Sequence, residues 1–129
     1  MDISAFDTRP KSSAGVDIPL VIEGATQYGD DDKPITFKVK GLADPDVHRL
    51  YLQQARSPSK TPEEVLAADL RFAQVAVLGW SANWKLDGKA VPFSRGAVDK
   101  VFTIPAIRAA ILSQVTKERH FMNGASAQP

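Results

Sequence analysis

Leu78-Gly-Trp-Ser-Ala-Asn-Trp-Lys-Leu-Asp-Gly-Lys-Ala-Val-Pro-Phe-Ser-Arg-Gly96 is the stretch on which the fold turns. It holds both tryptophans of the chain, Trp80 and Trp84. The apolar run Phe72–Leu78 leads into it and reads as the last two turns of a helix buried on several sides. Gly79 then reads as the residue that stops that helix. Asp87-Gly88 reads as a tight turn, and Ser94 as the cap of a following helix. The stretch is therefore a structural corner joining two helical layers. Each tryptophan can bury ~150–250 Å². Trp80, next to the buried helix, is assigned to the core, and Trp84 stands between core and contact with a partner.

Upstream of the corner, Thr61-Pro62-Glu63-Glu64 starts the central helix. Thr61 stands at the N-cap, Pro62 at the first helical position and Glu64 at the third, with two acids on the positive end of the helix dipole. Asp44-Pro45 starts an earlier helix in the same way, and Val47, Leu50, Tyr51 and Gln54-Ala55 follow at helical spacing. Before it, Ile35, Phe37 and Val39 alternate with Thr36, Lys38 and Lys40, the pattern of a half-buried strand. Val16–Ile22 is a second strand, with Pro19 marking it as an edge. Turn formers fill Gly24–Pro34, so the two strands form a long-looped hairpin. Downstream, Arg95 to about Phe102 is a short helix. Ile104, Ile107, Ile111 and Val115 mark the apolar stripe of the last one, with Arg108, Lys117, Glu118 and Arg119 on its solvated side.

The fold class expected is α+β: an N-terminal β-hairpin packed on a mainly helical bundle of about four helices. Residues 1–15 read as a flexible arm, 16–122 as one globular domain, and 123–129 as a disordered tail. At 129 residues one domain is expected.

The composition narrows the function. Sixteen basic residues against 15 acidic give a net charge of +1, too balanced for a general nucleic-acid or membrane-surface binder. No apolar run approaches the ~20 residues of a membrane span. There are no cysteines, hence no disulfide framework and no thiolate metal site. Met1–Asp7 begins acidic and lacks the apolar region of a signal peptide, so an intracellular protein is expected. His48 and His120 stand far apart, without metal-ligand spacing. Asp30-Asp31-Asp32 lacks the alternation and distal Glu of a calcium loop. Glu63 and Glu64 are explained by the helix dipole. No serine lies in a G-x-S-x-G context. A non-enzymatic, protein-binding domain with no cofactor is the reading.

From residue 16 to 122 the order of features resembles the tail assembly chaperones of long-tailed bacteriophages. The residues that carry the resemblance are Phe37-Lys-Val-Lys-Gly41-Leu-Ala-Asp-Pro-Asp-Val-His-Arg-Leu-Tyr51, the pair Gly79-Trp80, the run Asp87-Gly88-Lys89-Ala90-Val91-Pro92-Phe93-Ser94, and the final helix with Ile107-Arg108, Ile111 and Arg119-His120-Phe121. The resemblance implies a morphogenetic factor of the host bacterial cytoplasm that is not retained in the virion. It would bind the tape measure protein, keep it soluble, help recruit tail tube subunits, and self-associate along its client. Trp84, Val91, Phe93, Arg108 and Phe121 are the partner-binding residues expected. The alternative is a structural tail or neck protein that stays in the particle.

Overall fold

The computed structural model describes residues 2–122. The tail expected to be disordered, 123–129, lies outside the described residues. The chain is α+β.

The first departure from expectation comes at the N-terminus. Residues 2–15, read as an arm with little to bury, form a 3-10 turn over Ile3–Phe6 and then helix α1, Arg9–Ala14. Small polar side chains hold α1 in place. Ser12 is fully buried and Thr8 nearly so. Thr8 Oγ1 donates to Glu118 Oε2 at 2.7 Å, and Ser13 Oγ to Asp44 Oδ1 at 2.9 Å. Lys11 Nζ donates to the carbonyl of Met122 at 3.1 Å, and the Gly41 amide to the carbonyl of Ser12 at 3.0 Å. Gly41 permits this approach. A Cβ there would stand 2.5 Å from Ser12 Oγ and 2.9 Å from the Phe121 ring. Sequence reading weighs apolar content, and α1 docks with almost none.

Strand β1, Val16–Pro19, follows, then a small hairpin of β2, Val21–Ile22, and β3, Ala25–Thr26. Strand β4, Thr36–Val39, pairs antiparallel with β1. Ile18, Phe37 and Val39 point to the core, as the alternation requires. Pro19 sits on a sheet edge, where its missing N–H costs no ladder bond.

Helix α2, Pro45–Arg56, starts as expected: Asp44 accepts from the amides of Asp46 and Val47, each at 3.2 Å. Helix α3, Pro62–Ala76, is capped by Thr61 Oγ1 accepting from the Glu64 amide at 3.1 Å. The Glu64 carboxylate reaches back one residue further than a capping box has it, to the Lys60 amide at 2.7 Å.

The second departure lies at the end of α3. The helix stops at Ala76, and Val77–Trp80 forms strand β5, paired antiparallel with β4. Gly79 is thus a strand residue and not a helix stop. The four consecutive apolar residues Val75–Leu78 do not distinguish helix from buried strand by periodicity. What decides is tertiary: β4 has an unpaired edge, and Val77, Leu78 and Trp80 suit a pleated surface. The sheet is three-stranded, in the order β1-β4-β5. It stands where a two-stranded hairpin was expected, and among the described residues there are five α-helices where about four were expected.

Beyond β5, strands β6, Lys85–Leu86, and β7, Lys89–Ala90, close over Asp87-Gly88. Asp87 (φ 52°) and Gly88 (φ 78°) both lie in the left-handed region, as a type I′ hairpin turn demands. Ser94 caps helix α4, Arg95–Phe102, by accepting from the Ala97 amide at 3.0 Å. Helix α5, Pro105–Val115, and a 3-10 turn over Glu118–Phe121 complete the described fold. One core runs through it, centred on Phe37, Val39, Val77, Phe102 and Ile111. Among the described residues, no helix is long and apolar enough to cross a membrane.

Candidate functional site

The corner is built around Phe37, which projects from β4 and is 1% exposed. Phe102 meets it edge-on with ring centroids 5.7 Å apart, and Trp80 does so at 5.8 Å. Trp84 stacks on it at 6.0 Å with an interplanar angle of 22°. Trp80 also contacts Trp84 at 5.5 Å and Phe93 at 4.8 Å. Offset and edge-on geometries of this kind suit the ring quadrupoles. The two tryptophans therefore share one aromatic cluster, and both are half-buried. Their polar handles differ. Trp80 Nε1 donates to the Val91 carbonyl at 2.8 Å and ties β5 to the segment after the hairpin. Trp84 Nε1 is buried with no hydrogen-bond partner among the described residues.

The corner is fastened to its surroundings on two sides. Arg95 is the first residue of α4, yet its guanidinium serves α3. It donates to the carbonyls of Gln74 (2.6 Å) and Val77 (2.8 Å), groups the helix end leaves unpaired, and lies 5.3 Å from the Phe93 ring centroid. Gln74 Nε2 returns the contact to the Arg95 carbonyl at 2.7 Å and to Asp99 at 2.9 Å. On the other side Asn83 clasps the acidic loop. Its Nδ2 donates to Asp31 Oδ1 (2.8 Å) and to the Lys33 carbonyl (3.0 Å), while its own carbonyl accepts from the Asp30 amide (2.9 Å). The Asn83 hydrogen bond, followed by that of the Lys33 amide, holds the Asp31 carboxyl below the usual range.

Of the five residues expected to bind a partner, Trp84, Val91 and Phe93 come together here and pack against the core. The other two stand elsewhere with different work. Phe121 is fully buried beneath Ser12 and Gly41, so its side chain presents no surface for a partner. Arg108 donates to the carbonyls of Phe102 (3.0 Å) and Thr103 (3.2 Å) at the end of α4 and pairs with Asp69 at 3.4 Å. It is a helix-end ligand, which residue type and position alone did not reveal.

The exposed large apolar side chains of the described residues, Tyr28 excepted, lie outside the corner and the loop it clasps. On α2 they are Tyr51 and Leu52, on α3 Val65, in the first 3-10 turn Ile3 and Phe6, and in the acidic loop Tyr28. Leu52 falls outside the Val47/Leu50 stripe of its helix, and that offset was the available sequence signal.

The two histidines weighed for chemistry stand apart, and His48 is exposed on α2. His120 lies 2.7 Å from Gln114 Oε1, and burial, followed by the charges of Arg119 and Lys117, holds its imidazole below the ordinary value. Among the described residues no group of three or more His, Asp or Glu is placed to hold a metal ion. No protein-family model, curated protein or solved structure matches the chain.

Proposed function

We propose that the chain is a non-enzymatic tail assembly chaperone of a long-tailed bacteriophage, acting in the host cytoplasm. It binds the tape measure protein, keeps that protein's long apolar helices soluble and helps recruit tail tube subunits. The observation that carries the reading is the division of apolar residues. The corner that bears the Gly79-Trp80 and Val91–Ser94 resemblance is packed inward, while Tyr51, Leu52 and Val65 on the α2–α3 pair remain exposed (43, 38 and 47%). A helix pair that carries uncovered apolar side chains on a completed core is suited to receive the apolar face of a client helix. The partner-binding surface is accordingly moved from the expected set to α2–α3.

Co-expression with the tape measure protein of the same phage tests this. The client stays soluble and co-purifies with the wild-type chain, and Leu52→Asp/Val65→Asp abolishes co-purification without lowering the chain's own melting temperature. A client that remains insoluble beside the wild-type chain sinks the proposal. Recovery of the chain at tail stoichiometry in purified virions, by mass spectrometry, would favour the structural tail or neck protein instead.

A further inference from the structure

Residues 2–15 are docked without burying an apolar side chain of their own. Ile3 and Phe6 are exposed, as are Pro10 and Ala14 of α1, and the two side chains that go under are Thr8 and Ser12. What α1 encloses belongs to the other end of the chain: the Phe121 ring, fully buried beneath Ser12 and Gly41. Among the described residues, four hydrogen bonds tie α1 and its cap to the rest of the fold. They run from Thr8 to Glu118, from Ser13 to Asp44, from Lys11 to the Met122 carbonyl, and from the Gly41 amide to the Ser12 carbonyl.

Breaking these four bonds strands little. Asp44 keeps its cap on α2 and its pairing with Lys40 at 3.6 Å, and Glu118 is exposed to water. Ser12 Oγ, buried without a partner among the described residues, gains one by leaving. A hydrogen bond with a hydrated alternative is worth a factor of only about five, whereas burial of whole apolar side chains holds the core beneath. The joint is in place as well. Gly15, between α1 and β1, has φ +88°, a conformation that glycine adopts freely. We propose that α1 is a latch. Residues 2–14 swing off together about Gly15 while the core stays folded, and the Phe121 ring is bared. The closed state predominates, and the open one is reached well below the free energy of global unfolding. The latch is a property of the chain alone and does not rest on the chaperone reading.

Amide hydrogen exchange of the unmodified chain over a urea series tests this on two adjacent residues. The Gly41 amide donates to Ser12 in α1, while the Lys40 amide donates at 2.7 Å to Ala76 at the end of α3. Corrected for intrinsic rates, Gly41 exchanges at least about tenfold faster than Lys40 and responds weakly to urea, because opening the latch exposes little surface. Lys40 exchanges through global unfolding and responds steeply. Equal rates and equal urea slopes at the two amides would overturn the latch, since α1 would then come off only with the core. A thiol gives the second readout. The chain has no cysteine, so Ser12→Cys supplies a single buried one, which reacts with an aromatic disulfide only when α1 opens. Its reaction is insensitive to low urea, whereas that of Val98→Cys, in the core, rises steeply with urea. Adding Ser13→Ala speeds labelling at position 12 about fivefold. No acceleration by Ser13→Ala, or labelling at position 12 as fast as in the urea-unfolded chain, would equally overturn the proposal. Should Ser12→Cys lower the melting temperature, Gly41 exchange in the Ser13→Ala chain carries the same fivefold expectation. No client enters either readout, so the latch and the chaperone reading succeed or fail separately.

Discussion

The aromatic corner and helix α1 are both held tightly to the same core, by opposite means. The corner, Val77–Ser94, is held by large rings: Trp80, Trp84 and Phe93 gather on and around Phe37, and one indole N–H closes the set on the Val91 carbonyl. Helix α1 is held by small polar groups: Thr8, Ser12 and Ser13 reach Glu118, Gly41 and Asp44 through hydrogen bonds of 2.7–3.0 Å. Burial of an aromatic ring contributes several kcal/mol that depend little on orientation, whereas a hydrogen bond contributes about 1 kcal/mol net and requires its partner in place. The corner should therefore suffer most from loss of volume. The reverse should hold for α1.

Phe37→Ala carries the largest expected effect. It removes the ring on which both tryptophans and Phe102 rest, and a cost of about 3–5 kcal/mol is expected from denaturant titration. Retention of wild-type stability would show that the cluster is not the keystone of the corner. A sharper contrast comes from the two tryptophans. Trp80→Phe keeps a ring but strands the Val91 carbonyl, at about 1–2 kcal/mol, while Trp84→Phe discards an N–H that has no partner and costs less than Trp80→Phe. A Trp84→Phe variant that is the less stable of the two would reverse the assignment of their roles.

On the α1 side, Thr8→Val and Ser13→Ala should each cost about 1 kcal/mol, while Ser12→Ala should be neutral, because Ser12 Oγ is buried without a partner among the described residues. Equal losses at all three positions would mean that packing and not hydrogen bonding holds the helix.

The smallest effect is that of pH. The His120 imidazole is held below 6.5 in the fold, so its contribution is complete above that value and fades as pH falls through the lowered pKa. Asp44 acts in a more acidic window. Burial would raise its carboxyl, but the hydrogen bonds from Ser13 and Val47, with Lys40 nearby, outweigh burial and hold it below 3.8. Its contribution is present above that value and is lost on further acidification. Melting temperature should thus decline in two steps as pH is lowered, and His120→Gln should remove only the first.

How much of this was legible in the sequence follows from the same contrast. The caps at Asp44, Thr61 and Ser94, the Asp87-Gly88 turn and the alternation of Ile35–Val39 rest on local chemistry, and local chemistry is written in consecutive residues. The change from helix to strand at Ala76–Val77 is decided by the open edge of β4, where the register match of Val77 is Val39, 38 positions upstream. The docking of α1 depends on a gap that Gly41 leaves beside Phe121, which no run of sequence displays. For the candidate site, the clustering of Trp84, Val91 and Phe93 could be anticipated because they flank one turn. Arg108 and Phe121 could not be placed, because a helix-end ligand and a core ring look like surface and terminal residues until the helices are packed.

Amide hydrogen exchange of the chain with and without a helical segment of the tape measure protein tests the central claim most directly. If the corner is scaffold and the α2–α3 pair is the binding surface, the client slows exchange across residues 45–56 and 62–70 and leaves 77–93 as it was. Protection gained over 77–93, with none on α2 or α3, would contradict the account and return the binding role to Trp84.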